Sequence, residues 1–126
     1  MRMWLVNPAT MCRKHLLGEH VEMHMYIGSL SKGVKATGYL DGNLLEPAVL
    51  QERHDALATE MTRRNYIHKS PIDQVKLQTG LRHLSNFERA TVIDKEAARV
   101  ELHRRCSECS SLHAAFLGVE SRTATR

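Results

Sequence analysis

Apolar residues recur at helical spacings of three and four along most of the chain. The first such stretch runs from about Thr10 to Leu30, and Thr10, which follows Pro8 closely, is a suitable N-cap. One face carries Leu16, Leu17, Val21, Met23, Ile27 and Leu30. A second face carries Cys12, His15, Glu19, Glu22 and Tyr26. Gly18 lies inside this predicted helix, and such a glycine often marks the close approach of another backbone.

Two further long helices are predicted. Pro47 occupies a first-turn position and begins a helix that continues to about Asn65. Asp94 is a good N-cap for another, which continues to about Arg105. In the second helix the apolar stripe is Val49, Leu50, Leu57 and Met61, and the solvated positions are Gln51, Glu52, Arg53, Arg63 and Arg64. In the less periodic segment between these helices, a short helix is suggested by Leu77, Leu81 and Leu84.

The length and composition indicate one compact domain. The chain has 126 residues with 42% hydrophobic and 25% charged residues, which excludes a fibrous or wholly disordered protein. No β-type alternation longer than four residues occurs, so we predict an all-α fold of three main helices with irregular connections. We expect this domain to span residues 1–110 and a flexible tail to span residues 111–126, which are rich in Ser, Thr and Arg.

The charge balance favours a polyanionic partner. Eighteen Lys and Arg residues against fourteen Asp and Glu residues give a net charge of +4. Aromatic residues make up only 5%, which argues against a base-stacking platform. The sequence has no apolar segment of the ~20 residues that span a membrane, and its apolar start is too short for a signal peptide. Three cysteines form no disulfide framework and indicate reduced thiols in a cytosolic protein.

A Cys-x2-Cys pair near the C-terminus is a weak candidate for zinc binding, because two histidines flank it within a short segment. We favour free thiols there, but a small zinc-stabilised regulator remains an alternative. The four candidate ligands are His103, Cys106, Cys109 and His113. His20 and His24 also have a spacing that can bind a metal, and here packing histidines are favoured.

Three segments together resemble the pyrimidine-dimer DNA glycosylase/AP lyase family, the phage endonuclease V type of UV-repair enzyme. The first is Met1-Arg2, an amine followed by an arginine. The second, His15-Leu-Leu-Gly-Glu-His-Val-Glu22, is similar to the family's helix with a histidine and its catalytic glutamate. The third runs from Leu50 to Tyr66 and is similar to the family's second long helix with its basic end. The resemblance covers roughly residues 1–72.

The resemblance implies catalysis by the amine of the mature N-terminus, which attacks C1′ of the damaged nucleotide and forms an imine before β-elimination breaks the strand. An α-amine has a pKa of ~7.7–8.0, so part of it is unprotonated at neutral pH. Family members usually lose the initiator methionine, but the bulky Arg2 should prevent its removal here. With Met1 kept, the number of sequence positions between the N-terminal amine and Glu22 is the one that the resemblance implies between the mature amine and the catalytic glutamate. The resemblance therefore implies Met1 as the nucleophile and Glu22 as its acid/base partner.

Two positions differ from the family, which flanks its glutamate with DNA-holding arginines. The present chain has Val21 and Met25 there. This difference leaves open a DNA-binding module of the same fold that has lost catalysis, and a lyase acting on abasic sites or another base. The residues expected to contact DNA instead are Arg2, Arg13, Lys14, His15, Arg53, Arg63 and Arg64.

The resulting prediction is a DNA repair glycosylase with AP lyase activity on UV-induced pyrimidine dimers. Its partner is damaged double-stranded DNA, and the imine mechanism requires no cofactor or metal. We expect a monomer in the cytoplasm, of viral or bacterial intracellular origin, with no membrane association.

Overall fold

The computed structural model describes residues 2–34, 37–67 and 70–124 and, in the last helix, side chains up to residue 118. Within these ranges every regular element is a helix, which confirms the all-α prediction. Short 3-10 turns at Pro8–Thr10 and Pro47–Val49 precede two of the α-helices. The α-helices are α1 (Arg13–Ser31), α2 (Thr37–Asp41), α3 (Leu50–Arg63), α4 (Gln74–Arg82), α5 (Asn86–Arg89), α6 (Lys95–Arg105) and α7 (Ser107–Ala124).

Helix α1 begins three residues later than predicted, and its N-cap differs. Thr10 lies in the 3-10 turn, where its hydroxyl donates to the carbonyl oxygen of Asn7 at 2.7 Å, so it is not the cap of α1. The N-cap is Cys12, whose sulfur accepts the backbone N–H of His15 at 3.4 Å. Sequence propensities do not favour cysteine as a cap, so this start depends on the surroundings of the sulfur.

Helix α3 runs antiparallel to α1 and follows its predicted bounds closely. Pro47 begins a 3-10 turn that continues directly into α3, and Leu57 and Met61 face the core as predicted. The antiparallel arrangement is evident from Arg53, which contacts Glu19 in the middle of α1, and from Arg64, which contacts the chain just before α1. Arg53 was expected to be solvated, and that expectation is wrong because the residue is only 6% exposed.

Helix α4 packs on α1 through a glycine that the sequence did not single out. At Gly80 an added Cβ would lie 2.8 Å from the Cβ of Leu30 and 3.2 Å from its backbone carbon. The close approach expected at Gly18 is absent, since an added Cβ there would have no neighbour within 4 Å. Gly80 is therefore the position at which α1 and α4 come together.

We expect Gly80→Ala to lower the melting temperature, because overpacking typically costs ~1–3 kcal/mol and the gain in helix propensity is only ~1 kcal/mol. The matched control is Gly18→Ala, which adds the same methyl group to an open helix face and should stabilise the protein. Thermal unfolding followed by far-UV circular dichroism measures both changes. Equal shifts for the two variants would contradict the close packing of α1 against α4.

The C-terminal half contains more helices than predicted, because α5 and α7 were not expected from the sequence. Helix α6 begins after Asp94 as predicted, and the Asp94 carboxylate accepts the backbone N–H of Ala97 at 3.0 Å. Helix α7 then covers most of the segment for which a flexible tail was expected, as far as Ala124. It is anchored at its start by Cys109, which is fully buried and lies just before the expected tail, so the polar composition of residues 111–126 gave no signal for this anchor.

The N-terminal segment crosses the core before α1 begins. Met3 and Trp4 are buried, and the backbone N–H of Met3 donates to the carbonyl oxygen of Leu44 at 3.0 Å. These contacts hold Arg2 in place beside α1. None of the helices in the described ranges combines the length and the apolar character needed to cross a membrane.

Candidate active site and DNA interface

Glu22 lies on α1 next to the start of the chain. Its carboxyl group is half-buried, and its Oε2 is a buried oxygen without a hydrogen-bond partner among the described residues. Burial raises the pKa of Glu22, and hydrogen bonding from the backbone N–H of Arg2 acts in the opposite direction. That N–H belongs to the peptide group that joins Met1 to Arg2. Met1 itself, the predicted nucleophile, lies outside the described residues.

Arg2 lies beside Glu22 and covers an aromatic ring. Its guanidinium carbon is 4.5 Å from the ring centroid of Trp4, a cation–π distance. Its Nε is buried and has no hydrogen-bond acceptor among the described residues. Burial lowers the pKa of Arg2, and the nearby positive charge of Arg105 lowers it further. A buried donor without an acceptor next to a candidate catalytic carboxylate is well suited to an anionic ligand such as a DNA phosphate.

Tyr26 follows Glu22 by one helical turn and adds a buried phenol to the site. Its hydroxyl has no hydrogen-bond partner among the described residues, and its ring packs edge-on against Tyr39 with centroids 5.4 Å apart. Burial raises the pKa of Tyr26, and the negative charge of Glu22 adds to the effect. The phenol therefore remains protonated and can donate a hydrogen bond. Tyr26 was placed on the same helix face by its spacing, but its role was not predicted.

The carboxylate of Glu19, on the same face of α1, is paired with Arg53. The Nε of Arg53 donates to Oε2 of Glu19 at 2.5 Å, and a second nitrogen donates to Oε1 at 3.0 Å. Another donor of Arg53 reaches the carbonyl oxygen of Val6 at 2.7 Å. These donors are committed within the core, so the DNA-binding role expected of Arg53 is corrected to a structural one.

Four of the expected DNA-contacting residues meet at one end of the bundle, where α1 begins and α3 ends. Arg13 and Lys14 are exposed, and the Arg13 guanidinium lies 5.0 Å from the ring centroid of Tyr66. Arg63 is exposed and paired with Glu60. Arg64 is half-buried and donates to the carbonyl oxygen of Met11 at 2.7 Å, so much of its hydrogen-bonding capacity is used internally.

This basic end is separate from the Glu22 site. Arg13 and Glu22 are nine residues apart on one helix, which corresponds to about 13 Å along its axis at ~1.5 Å per residue. At about 3.6 residues per turn, the same spacing directs the side chains of Arg13 and Glu22 to opposite sides of α1.

Arg105 is a further basic residue close to Arg2 that sequence analysis missed. Its guanidinium carbon lies 5.8 Å from the ring centroid of Trp4, the ring that Arg2 also covers. It is exposed and also paired with Glu101. In the sequence it belongs to a basic run at the end of α6, which the helix dipole explains sufficiently, so no local signal distinguished it.

Val21 and Met25, where the resemblance implies arginines, are exposed apolar side chains on the first helix. Val21 is 53% exposed and Met25 47% exposed. They lie one turn apart on either side of Glu22 in the sequence, so they contribute an apolar strip close to the candidate catalytic residue.

The three cysteines lie close to one histidine, and it is not one of the two histidines that flank the C-terminal Cys-x2-Cys pair in the sequence. The ligand atoms of this cluster lie within 4.8 Å of one another, and its members are Cys12, His15, Cys106 and Cys109. The alternative ligand set considered from the sequence is not the one that assembles, since His103 and His113 are not part of this cluster and pack against each other with ring centroids 4.9 Å apart. The chain bends between α6 and α7 at Cys106, and this bend turns the two thiols towards α1.

His15 has neighbours other than the DNA contact expected of it. Its Nδ1 lies 3.1 Å from the sulfur of Cys12 and 3.7 Å from that of Cys109. Burial lowers the pKa of His15, so the ring is neutral at physiological pH and can offer a nitrogen lone pair. Burial also raises the pKa of Cys109 to about 12.

A second group of histidines is formed between α1 and α3. The rings of His20, His24 and His54 have centroids 4.9–5.0 Å apart, and their ligand atoms lie within 4.8 Å of one another. Both ring nitrogens of His54 already have neighbours, the Asp55 carboxylate at 3.0 Å and the carbonyl oxygen of Ser70 at 3.1 Å. This arrangement favours the packing role predicted for His20 and His24.

Comparison with known proteins identifies the family. A family model described as pyrimidine dimer DNA glycosylase matches residues 1–74, a stretch that includes Arg2, Glu22 and all of α3. No curated protein and no solved structure matches the chain. The family match covers more than half of the 126 residues and agrees with the resemblance in the first two helical segments. The chain therefore belongs to the pyrimidine dimer DNA glycosylase family.

Proposed function

We propose that this protein excises UV-induced pyrimidine dimers from double-stranded DNA as a glycosylase and then cleaves the strand as an AP lyase. The observation that carries the proposal is the position of Glu22, half-buried and hydrogen-bonded by the first peptide N–H of the chain. A carboxyl group held there is suited to move protons for a nucleophile at the N-terminus. Membership of the family supplies the substrate class.

The proposed reaction starts at the α-amine of Met1. The amine nitrogen forms a bond to C1′ of the damaged nucleotide as the bond to the pyrimidine breaks, and the base leaves with the electron pair and takes up the proton that the amine releases. Glu22, whose pKa is raised by burial, gives a proton to the sugar ring oxygen as the ring opens to an imine. Its carboxylate then removes a proton from C2′, and the 3′-phosphate leaves. Water hydrolyses the imine and restores the amine.

DNA binding is proposed to use basic residues near the start of the chain and at the basic end, where α1 begins and α3 ends. Arg2, whose backbone contacts Glu22, and Arg105 lie over the Trp4 ring, and Arg13, Lys14 and Arg63 lie at the basic end. These charges predict salt-sensitive binding to undamaged DNA. Access to C1′ requires the duplex to open, so we expect a kinked duplex with an extruded base.

A catalytically inactive DNA-binding module is the second candidate function. It is favoured by the exposed side chains of Val21 and Met25, which cannot hold phosphates as the family's arginines do. The same difference also fits an AP-site lyase with another base substrate.

Reductive trapping separates these functions. Duplex DNA with a single thymine dimer is incubated with the untagged protein in borohydride, and a parallel duplex contains an abasic site. We expect a covalent adduct with both duplexes, because borohydride reduces the imine to a stable amine. A variant with extra residues before Met1 should lose the adduct, since its α-amine is displaced from Glu22.

The control is Lys76→Gln, which removes an exposed amine on α4 and should leave trapping intact. An adduct with abasic DNA alone would support the AP-site lyase. The absence of any adduct while DNA binding persists would overturn the enzymatic proposal in favour of the binding module. Trapping that survives the N-terminal extension would refute Met1 as the nucleophile.

A further inference from the structure

Two pairs of potential metal ligands from distant parts of the chain meet beneath the N-terminal segment. Cys12 and His15 form a Cys-x2-His pair, and Cys106 and Cys109 form a Cys-x2-Cys pair. The sulfurs of Cys12 and Cys106 are 3.9 Å apart although these residues are separated by 94 positions. Such convergence of all three cysteines of the protein on one histidine indicates a site rather than scattered free thiols.

The distances within this cluster fit a tetrahedral metal centre. Zinc with Zn–S bonds of ~2.3 Å and a Zn–N bond of ~2.0 Å places its ligand atoms ~3.5–3.8 Å apart. The observed separations are 3.9 Å between Cys12 and Cys106, and 3.1 and 3.7 Å from His15 Nδ1 to the sulfurs of Cys12 and Cys109. For a regular tetrahedron the two longer separations would shorten slightly, and the 3.1 Å separation between His15 and Cys12 would lengthen slightly.

We propose that Cys12, His15, Cys106 and Cys109 bind one zinc ion. Three thiolates with one imidazole are a ligand set that zinc prefers, because soft sulfur donors disfavour magnesium and calcium. All four ligands come from the protein, so no position remains open for water or substrate. The site is therefore structural, and the proposed glycosylase chemistry does not depend on the zinc as a reactant.

The backbone is already arranged to stabilise thiolates in this cluster. The N–H of Cys12 points to the sulfur of Cys109 at 3.3 Å, and the N–H of His15 points to the sulfur of Cys12 at 3.4 Å. The N–H of Cys109 points to the sulfur of Cys106, also at 3.4 Å. Each sulfur thus receives an outer hydrogen bond, as ligand sulfurs in metal sites commonly do. This arrangement also explains why a cysteine caps α1.

The zinc would join the C-terminal part of the chain to the part that the family model matches. Cys12 and His15 lie within residues 1–74, whereas Cys106 and Cys109 lie beyond them. Arg105 directly precedes Cys106 and extends over Trp4, and the Trp4 ring lies edge-on to His15 with centroids 6.2 Å apart. The metal would therefore fix the position of Arg105 relative to Arg2.

Elemental analysis of untagged protein, purified without chelator or a metal column, tests the proposal directly. We expect about one zinc per chain. Cobalt exchanged into the site should give the intense visible bands of a tetrahedral thiolate complex, together with a near-ultraviolet sulfur-to-cobalt band. Cys109→Ser should lower the zinc content at least tenfold or remove the cobalt spectrum of thiolate type. The matched control, His103→Ala with His113→Ala, should retain both signals.

Several results would overturn the proposal. One is a wild-type protein with three titratable thiols, no zinc and no cobalt spectrum, because the cysteines would then be packing residues only. Another is a mass two units below that of the reduced chain with a Cys12–Cys106 crosslink in freshly purified metal-free protein, which would make the cluster a disulfide site. Loss of zinc in the His103/His113 control would reassign the ligands. The wild-type measurements do not depend on any variant folding.

Discussion

Arg53→Met is expected to destabilise the protein by about 3–5 kcal/mol, the usual result of removing one partner from a buried ion pair. The side chain of Glu19 is 0% exposed, and without Arg53 its carboxylate would be left in the core without a counter-charge. The carbonyl oxygen of Val6 would also lose its donor. Since a domain of this size is stable by ~5–15 kcal/mol, this loss would remove a large fraction of the total stability.

Urea denaturation measures this loss, and Arg63→Met is the matched control on the same helix. Arg63 is also paired with a glutamate, but its side chain is 65% exposed, so its removal should change the stability far less than the removal of Arg53. The double variant Arg53→Met with Glu19→Leu should recover part of the loss, because no buried charge then remains. Similar effects for Arg53→Met and Arg63→Met would contradict the buried pair, and so would a double variant that is less stable than Arg53→Met.

The features that were predicted correctly are local in sequence. Asp94 caps α6 because its carboxylate bonds a backbone N–H three residues later, and Pro47 begins a turn because its ring fixes φ. The catalytic role of Glu22 stays a prediction, which rests on the resemblance of residues 15–22 to the family's helix and on the separation of Glu22 from Met1. The helix starts at Asp94 and Pro47 each depend on a few neighbouring residues, so they could be predicted from the local sequence.

The features that were missed depend on contacts between distant residues. Arg53 looks like a solvated helix residue, and only Glu19, 34 positions away, makes its burial favourable. The partners of Cys106 and Cys109 were sought among nearby histidines, whereas the fold supplies Cys12 and His15. Gly80 could not be distinguished from Gly18 either, because a close approach between helices has no local signature. In each case a residue has no distinguishing signal in the sequence until its distant partner is known.

Glu22→Gln is expected to lower turnover on dimer-containing DNA by about 10²–10⁴-fold, the usual contribution of general acid–base catalysis. The amide has the size of the carboxyl group and can still accept the N–H of Arg2, but it cannot move a proton. Single-turnover strand cleavage on a duplex with one thymine dimer measures the loss. Binding of that duplex should be retained, and a variant with undiminished cleavage would show that Glu22 is not the proton-transfer group.

The same substitution is expected to stabilise the folded protein at neutral pH. Burial raises the folded-state pKa of Glu22, so the folded protein binds this proton more tightly than the unfolded chain does. The corresponding stabilisation is present below the unfolded pKa of ~4.3 and is lost as the pH rises through the folded pKa. Glutamine does not titrate, so Glu22→Gln should gain stability relative to the wild type across this range and keep the gain at pH 7.

Melting temperatures of both proteins, measured between pH 4 and pH 8, test this expectation. Glu52→Gln is the control, since it changes an exposed carboxylate and should show no such gain with rising pH. A Glu22→Gln variant that is less stable than the wild type at pH 7 would refute the burial effect. A variant with lower turnover and higher stability would show that the Glu22 carboxylate destabilises the folded protein but is needed for activity. This combination is expected of a catalytic group and not of a packing residue.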